Sequence, residues 1–131
     1  MRQRHIQITI ALIALLGLPP DAEAAWVPLV STDDATATVY VDQETVTSRG
    51  AIRRFWDLHD LKNAGSDGER SRSWLREVDC ANERYRTLAV MTLSGPMGTG
   101  ELLNRWNLEP KWELIAEGTI AEAQQQAVCA Q

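Results

Sequence analysis

The sequence has little of the material from which most active sites are built. Its 131 residues include two histidines and two cysteines, and His59 is the only histidine beyond the N-terminal segment. A histidine-based catalytic triad and a multi-histidine zinc site therefore lack their residues. The glycine-rich stretch 94–100 also lacks the Lys-Ser/Thr ending of a phosphate-binding loop. These absences predict a protein that is not an enzyme and uses no cofactor or metal.

The chain also has a deficit of basic residues. Thirteen lysines and arginines stand against eighteen aspartates and glutamates, which gives a formal net charge of −5. Nucleic-acid-binding domains are usually basic, because they neutralise phosphates. The composition therefore predicts that nucleic acid is not a partner.

Long apolar runs are absent except at the N-terminus. Arg2 and Arg4 precede a mostly apolar run over residues 6–18, and residues 22–24 offer the small-x-small pattern of a signal-peptidase site. The run is too short to cross a bilayer comfortably. We therefore expect a signal peptide over residues 1–24 and one mature domain over residues 25–131, with no stable membrane insertion after cleavage.

An exported chain reaches an oxidising compartment, and this bears on the two cysteines. A disulfide between Cys80 and Cys129 is the leading interpretation there, and two free thiols are the alternative. Neither cysteine lies at the processing site, so no lipid anchor is evident. The predicted location is the periplasm, the medium or the periphery of the outer membrane.

The mature sequence favours β-strands followed by one helix. Alternating or β-branched stretches predict strands, and turn-forming residues separate them. Thr119 and Glu122 form a candidate capping box before an Ala/Gln-rich helix that carries Cys129. Five or six antiparallel strands and a C-terminal helix make an α+β domain. The predicted strands cover residues 26–30, 36–42, 51–61, 71–80 and 85–93, with a weaker extended segment over 106–115.

The faces of the predicted strands can be assigned from alternation. In the 51–61 strand, Ile52, Arg54, Trp56 and Leu58 share a face opposite Phe55, Asp57 and His59. We expect Trp56 to pack inward beside Trp74 of the next strand, as core residues. His59, near Asp57 and Asp60, is expected to be a solvated or satisfied side chain rather than a catalytic one.

Arginines are concentrated in the middle of the chain, on strands expected to be neighbours. Side chains on adjacent strands would stack laterally, and such a row could bind a sulfated glycan or a charged segment of a protein. The alternative is a solvated face on which the arginines pair with Asp57, Glu69, Glu77 and Glu83. The candidate ligand-binding residues are Arg53, Arg72, Arg76, Arg84 and Arg86.

The order of these features resembles a known family. Trp26 opens the mature chain, a Tyr-x-Asp strand follows, and Phe-Trp-Asp-Leu, Val-Asp-Cys and a final Val-Cys come in order across residues 26–129. This pattern is similar to the bacterial surface-adhesin protein E-like family. The motif residues are Tyr40 to Asp42, Phe55 to Leu58, Ser71 to Ser73, Val78 to Cys80, Trp112, Gly118-Thr119 and Val128-Cys129.

The resemblance implies a single antiparallel sheet of about six strands, with a C-terminal helix tethered to it by a disulfide. It also implies a non-enzymatic adhesin that binds host matrix or serum proteins, such as vitronectin and laminin, and that forms homodimers. The alternative function is a periplasmic structural or accessory protein of the cell envelope, with no host ligand.

Overall fold

The computed structural model describes residues 24–130. The predicted signal peptide, apart from Ala24, lies outside the described residues. Within them the chain forms eight strands and one α-helix, with short 3₁₀ turns at Gln43–Thr45 and Pro96–Gly98. The elements are β1 Trp26–Ser31, β2 Ala37–Asp42, β3 Thr47–Arg49, β4 Ile52–Leu61, β5 Ser71–Asp79, β6 Arg84–Leu93, β7 Leu102–Asn107, β8 Glu113–Leu114 and α1 Ile120–Cys129.

All eight strands join one antiparallel sheet. Six of them run in the order β1-β2-β4-β5-β6-β7, while β3 pairs with β4 and β8 pairs with β6. The predicted α+β class and single sheet are confirmed, but the sheet has eight strands rather than five or six. The additional strands are short: β3 has three residues and β8 has two. Strand β3 lies between the predicted strands 36–42 and 51–61, and the expected extended segment 106–115 is divided between β7 and β8.

The sheet has two unlike faces, which the strand register defines. Phe55 of β4 lies opposite Arg76 of β5, and Asp57 lies opposite Trp74. These residues belong to the face against which α1 packs, here called the helix face. Glu77 lies opposite Arg54 on one side and Arg86 on the other, on the second face, here called the open face.

The apolar core lies on the helix face. Val41, Phe55 and Val78 from three strands pack with Val128 of α1, and each is at most 1% exposed. Burial of these side chains is the main contribution to holding the helix against the sheet. Partly buried Cys80 and Cys129 pack against this cluster.

Two features fix α1 in place. Thr119 Oγ1 accepts a hydrogen bond from the Glu122 N–H at 3.3 Å, and the Glu122 carboxylate accepts one from the Gly118 N–H. The predicted cap is therefore present, with Gly118 as the second donor. At the other end, a disulfide joins Cys80 to Cys129, with 5.8 Å between their Cα atoms.

Within residues 24–130, no helix has the length and apolarity needed to cross a membrane.

A loop covers one end of the open face. The Met97 N–H donates to Asp60 Oδ1 at 2.8 Å, and the Gly98 N–H donates to Ser71 Oγ at 3.0 Å. Ser71 Oγ in turn donates to the Gly95 carbonyl. Fully buried Leu58 lies beneath this glycine-rich loop. The other end of the open face, near β3 and β8, carries no such cover.

The expected pairing of Trp56 with Trp74 in the core is wrong. Trp56 lies opposite Leu75 on the open face, whereas Trp74 lies opposite Asp57 on the helix face. The helix packs on the face bearing Phe55, because Val41, Val78 and Val128 complete an apolar cluster there. Alternation separated the two faces of β4 but did not reveal which one the helix covers.

Candidate functional site

The five candidate arginines do not share one face of the sheet. Arg53, Arg72 and Arg76 lie on the helix face, and Arg84 and Arg86 lie on the open face. A single row of all five is therefore excluded by the register. The candidate site divides into two groups with different surroundings.

The open face carries two lateral rows of charged side chains at its uncovered end. In one row, Arg54, Glu77 and Arg86 occupy paired positions on β4, β5 and β6. The other row runs from Arg49 on β3 through Ile52 and Asp79 to Arg84. Paired positions on neighbouring antiparallel strands place their Cβ atoms about 5 Å apart. We name the four arginines Arg49, Arg54, Arg84 and Arg86 the arginine patch.

Two buried carboxylates orient three of the four arginines. Glu77 accepts hydrogen bonds from Arg54 Nε at 3.3 Å and from Arg86 Nε at 2.9 Å. Asp79 accepts one from Arg84 Nε at 3.0 Å. Hydrogen bonds from the Asn82 side chain and then from Arg84 hold the pKa of Asp79 below its ordinary value, against the effect of burial. The patch thus sets four positive charges against two negative ones, in a chain of net charge −5.

An aromatic ring stands beside the patch. Trp112 lies 4.5 Å from the guanidinium of Arg84 and 4.3 Å from that of Arg86. Cation–π contacts of this kind hold flexible side chains over a ring. Trp112 and the two carboxylates therefore restrict Arg84 and Arg86 to a small range of orientations.

The group on the helix face has a different character. Buried Asp57 accepts from Arg76 Nε at 2.6 Å, from Gln124 Nε2 at 2.7 Å and from the Trp74 N–H at 2.9 Å. Gln124 belongs to α1, so this carboxylate joins the helix to the sheet. His59 Nε2 lies 3.5 Å from Asp57 Oδ2 and has no hydrogen-bond partner within residues 24–130.

Arg76 and its carboxylate form a buried ion pair. The Arg76 side chain is 14% exposed and lies between the rings of Trp74 and Tyr85, at 5.4 and 6.0 Å. Burial raises the pKa of Asp57, but neighbouring His59 and Arg76 outweigh that effect and hold it below its ordinary value. This geometry makes Asp57 and Arg76 a structural pair within the core.

Arg53 and Arg72 are held by local partners. Arg53 Nη1 donates to the Gly50 carbonyl at 2.7 Å, in the turn before β4. Arg72 Nη2 donates to Glu69 Oε1 at 2.6 Å. The Arg72 contact, with hydrogen bonds from backbone N–H groups, holds the pKa of Glu69 below its ordinary value. Of the acids named in the solvated-face alternative, Asp57, Glu69 and Glu77 pair with arginines, but all three are buried rather than solvated.

Three members of the open-face site were missed by the sequence analysis. Arg54 was placed on the correct face, but that face was expected to be the core. Arg49 carries no signal in the sequence, and Trp112 is predicted only as part of the extended segment 106–115 and of the family pattern. Strand alternation identifies Arg54 as a neighbour of Glu77 once the register is known. No local sequence signal brings Trp112 next to Arg84, because the two are separated by the whole of β6 and β7.

The described part of the chain contains no group of three or more His, Cys, Asp or Glu side chains placed to hold a metal ion. The open face thus offers an aromatic ring and arginines that buried carboxylates orient. Oriented arginines of this kind bind anionic groups.

Comparison with known proteins gives the family. The family model of surface-adhesin protein E matches residues 26–130, so the chain belongs to this family. Two crystal structures of protein E from Haemophilus influenzae, one of them from the non-typeable bacterium, share the fold, with TM-scores of 0.66 and 0.65. Identity is 18% in both cases, and the match covers 88% of this chain and 82% and 94% of those chains. No curated protein shows significant sequence similarity to the chain.

Proposed function

We propose that this member of the surface-adhesin protein E family is an exported, non-enzymatic binding domain that recognises an acidic segment of a host matrix or serum protein. The arginine patch is the contact surface. The observation that carries the proposal is a net positive, partly exposed patch on the open face of an otherwise acidic chain.

The ion pairs in the patch leave donors for a ligand. An arginine side chain has five N–H donors. Arg84 uses only Nε in its contact with Asp79, and Arg54 uses Nε and Nη2 toward Glu77. The remaining N–H groups are available for bidentate contacts with a carboxylate or sulfate. The buried acids therefore prepare the arginines for binding by fixing their orientation.

Exposure of the patch supports the same function. The side chains of Arg54, Arg84 and Arg86 are 50%, 39% and 25% exposed. Arg76, in contrast, is 14% exposed and already paired with a fully buried carboxylate. We therefore assign ligand contact to Arg84 and Arg86 among the original five candidates, and add Arg49 and Arg54.

Solid-phase binding to immobilised vitronectin, laminin and heparin tests this function. The double variant Arg84→Gln/Arg86→Gln removes two charges from the patch. We expect at least a tenfold loss of affinity, and binding by the wild type that weakens with rising salt, because the attraction is between exposed charges.

The double variant Arg53→Gln/Arg72→Gln is the matched control, since it removes two charges from the helix face. It should bind as the wild type does, and circular dichroism should show that both variants are folded. Equal losses in the two variants, salt-insensitive binding, or no binding by the wild type would reject the proposed surface.

The location of the mature protein decides whether host ligands can be reached. We infer display at the cell surface, in keeping with the family, so that added protease should cleave the protein on intact cells. The alternative is a periplasmic structural or accessory protein of the cell envelope. Release by osmotic shock, with protection from protease, would establish the periplasmic function instead.

We also propose a homodimer formed along β7. This strand pairs with β6 and lies at the end of the main strand path. Leu102 and Trp106 on β7 are 54% and 46% exposed. Exposed apolar side chains on an edge strand are typical of strand-to-strand association. Analytical ultracentrifugation should show a dimer that Trp106→Lys converts to a monomer, and a monomeric wild type would contradict this assignment.

A further inference from the structure

A second concave site lies on the helix face, apart from the arginine patch. A cavity of about 710 Å³ opens between the turn after β1, the start of α1 and the strands β5 and β6. Ligand sites in proteins are commonly clefts of about 300–1,000 Å³ with apolar walls and a few placed polar groups. The volume and mixed lining of this cavity fit that description.

The floor of the cavity presents hydrogen-bond donors. Arg76 lines the cavity. Its Nε donates a hydrogen bond to Asp57, and its Nη1 donates one to Thr87 Oγ1. Its Nη2 donates to no acceptor in residues 24–130. Tyr85 also lines the floor, and burial, followed by a hydrogen bond to the Glu113 side chain, raises the pKa of its hydroxyl. The floor therefore suits a carbonyl or carboxylate oxygen.

The rim of the cavity carries negative charge. Arg76, Asp33 and Asp34 are the charged residues among those lining it. Asp57 already balances the charge of Arg76, so the two exposed aspartates leave the cavity net acidic. Asp34 accepts hydrogen bonds from Thr36 and Thr32, which hold its pKa below the ordinary value. Asp33 makes no hydrogen bond or ion pair within the described residues and can bind a cation.

The walls are apolar. Val30 is 36% exposed and Leu114 is 82% exposed, and both line the cavity with Ile120. An aliphatic stem can lie along such side chains while its charged end reaches the aspartates.

We propose that this cavity binds a short extended peptide segment that carries a lysine or arginine. A backbone carbonyl of the segment accepts from Arg76 Nη2, the basic side chain crosses the apolar wall, and its charge pairs with Asp33. This site is separate from the arginine patch, which attracts acidic ligands, so either site can fail without the other.

Titration of the isotopically labelled domain with two blocked tetrapeptides, Ala-Lys-Ala-Ala and Ala-Glu-Ala-Ala, tests the site by NMR. Saturable shifts are expected with the lysine peptide alone, at the amides of Asp33, Gly118, Thr119 and Ala121. Asp33→Asn should weaken binding about threefold, the size expected for one exposed ion pair.

Glu44→Gln is the matched control, because Glu44 is an exposed carboxylate that does not line the cavity. It should leave affinity unchanged. A second variant, Ala116→Trp, adds bulk at an exposed wall residue and should abolish the shifts. Equal effects of Asp33→Asn and Glu44→Gln, tight binding of the glutamate peptide, or no saturable binding at several millimolar would overturn the proposal.

Discussion

The helix face and the open face use the same residue types for different purposes. On the helix face, Asp57 and Arg76 form an ion pair that is out of water and shared with Gln124 of the helix. On the open face, Glu77 is equally buried, but its partners Arg54 and Arg86 reach solvent. The second arrangement leaves more of each guanidinium group exposed to another molecule than the first does.

This difference shows that arginine number is a poor guide to a binding surface. What matters is how far the arginine itself is buried. In a committed pair, such as Asp57 and Arg76, the arginine is buried with its carboxylate. In an oriented pair, such as Glu77 and Arg54, a buried carboxylate holds an arginine whose guanidinium group reaches solvent. Removing one partner of a committed pair leaves a charge in the interior, which is costly. Removing a partner from an oriented pair leaves an arginine that water can still solvate.

The largest expected effect concerns the covalent link of the helix to the sheet. Replacing Cys80 and Cys129 by serine opens a bridge between residues 49 apart in sequence. On the chain-entropy model the free energy of unfolding should fall by about 4 kcal/mol. Urea unfolding of the oxidised wild type and the double variant measures the difference. A loss well under 1 kcal/mol would show that packing of Val128 alone holds α1 in place.

The next effect tests the committed ion pair. Asp57→Asn keeps one oxygen but removes the charge opposite Arg76. The free energy of unfolding should fall by about 3 kcal/mol, because Arg76 would stay in the interior without its counter-ion. Chemical denaturation at neutral pH gives the value. An unchanged stability would mean that Arg76 can turn to solvent, and the contrast between the faces would be lost.

A smaller effect is expected from the corresponding change on the open face. Glu77→Gln should lower the free energy of unfolding by about 1 kcal/mol, since both arginine partners are partly hydrated. The same denaturation experiment provides the measurement, with Asp57→Asn as its reference. If the Glu77 variant lost as much as the Asp57 variant, the open-face pairs would be core elements too.

The smallest effect is a difference in pH dependence. Because the folded-state pKa of Asp57 lies below its unfolded value of about 3.9, folding stabilises the ionised form. That contribution is fully present above the unfolded pKa and is lost as the pH falls through the folded pKa. Asp34, Glu69 and Asp79 have lowered pKa values as well. Stability should therefore fall below about pH 4, and less steeply in Asp57→Asn than in the wild type. Identical slopes would show that the pKa of Asp57 is not lowered.

Much of the fold could be predicted from local sequence. The β-branched run over 36–42 predicts β2, and the alternation over 51–61 predicts β4. The cap formed by Thr119 and Glu122 predicts the start of α1. These signals are local, because strand alternation and helix capping depend on nearby residues. The pairing of Cys80 with Cys129 could be predicted from the expected export to an oxidising compartment and the presence of only two cysteines.

The divided site could not be predicted in the same way. Whether Phe55 or Trp56 faces the helix depends on which side α1 takes, and nothing within β4 encodes that choice. The positions of Arg84 and Arg86 relative to Arg53 depend on the register of three strands, in which Arg53 lies opposite Val78 and Val78 lies opposite Tyr85. Counting by twos divides the residues of one strand between two faces, but it does not show which face of the next strand continues each of them. It could therefore not place the five arginines.

The most direct test observes the arginines themselves. Two-dimensional NMR of the Nε–H groups, with a heparin-derived hexasaccharide as a soluble anionic probe, reports on each guanidinium separately. The account predicts salt-sensitive shifts for Arg54, Arg84 and Arg86, with the signal of Arg76 unmoved. Shifts centred on Arg53, Arg72 or Arg76, with the open-face arginines unchanged, would contradict it.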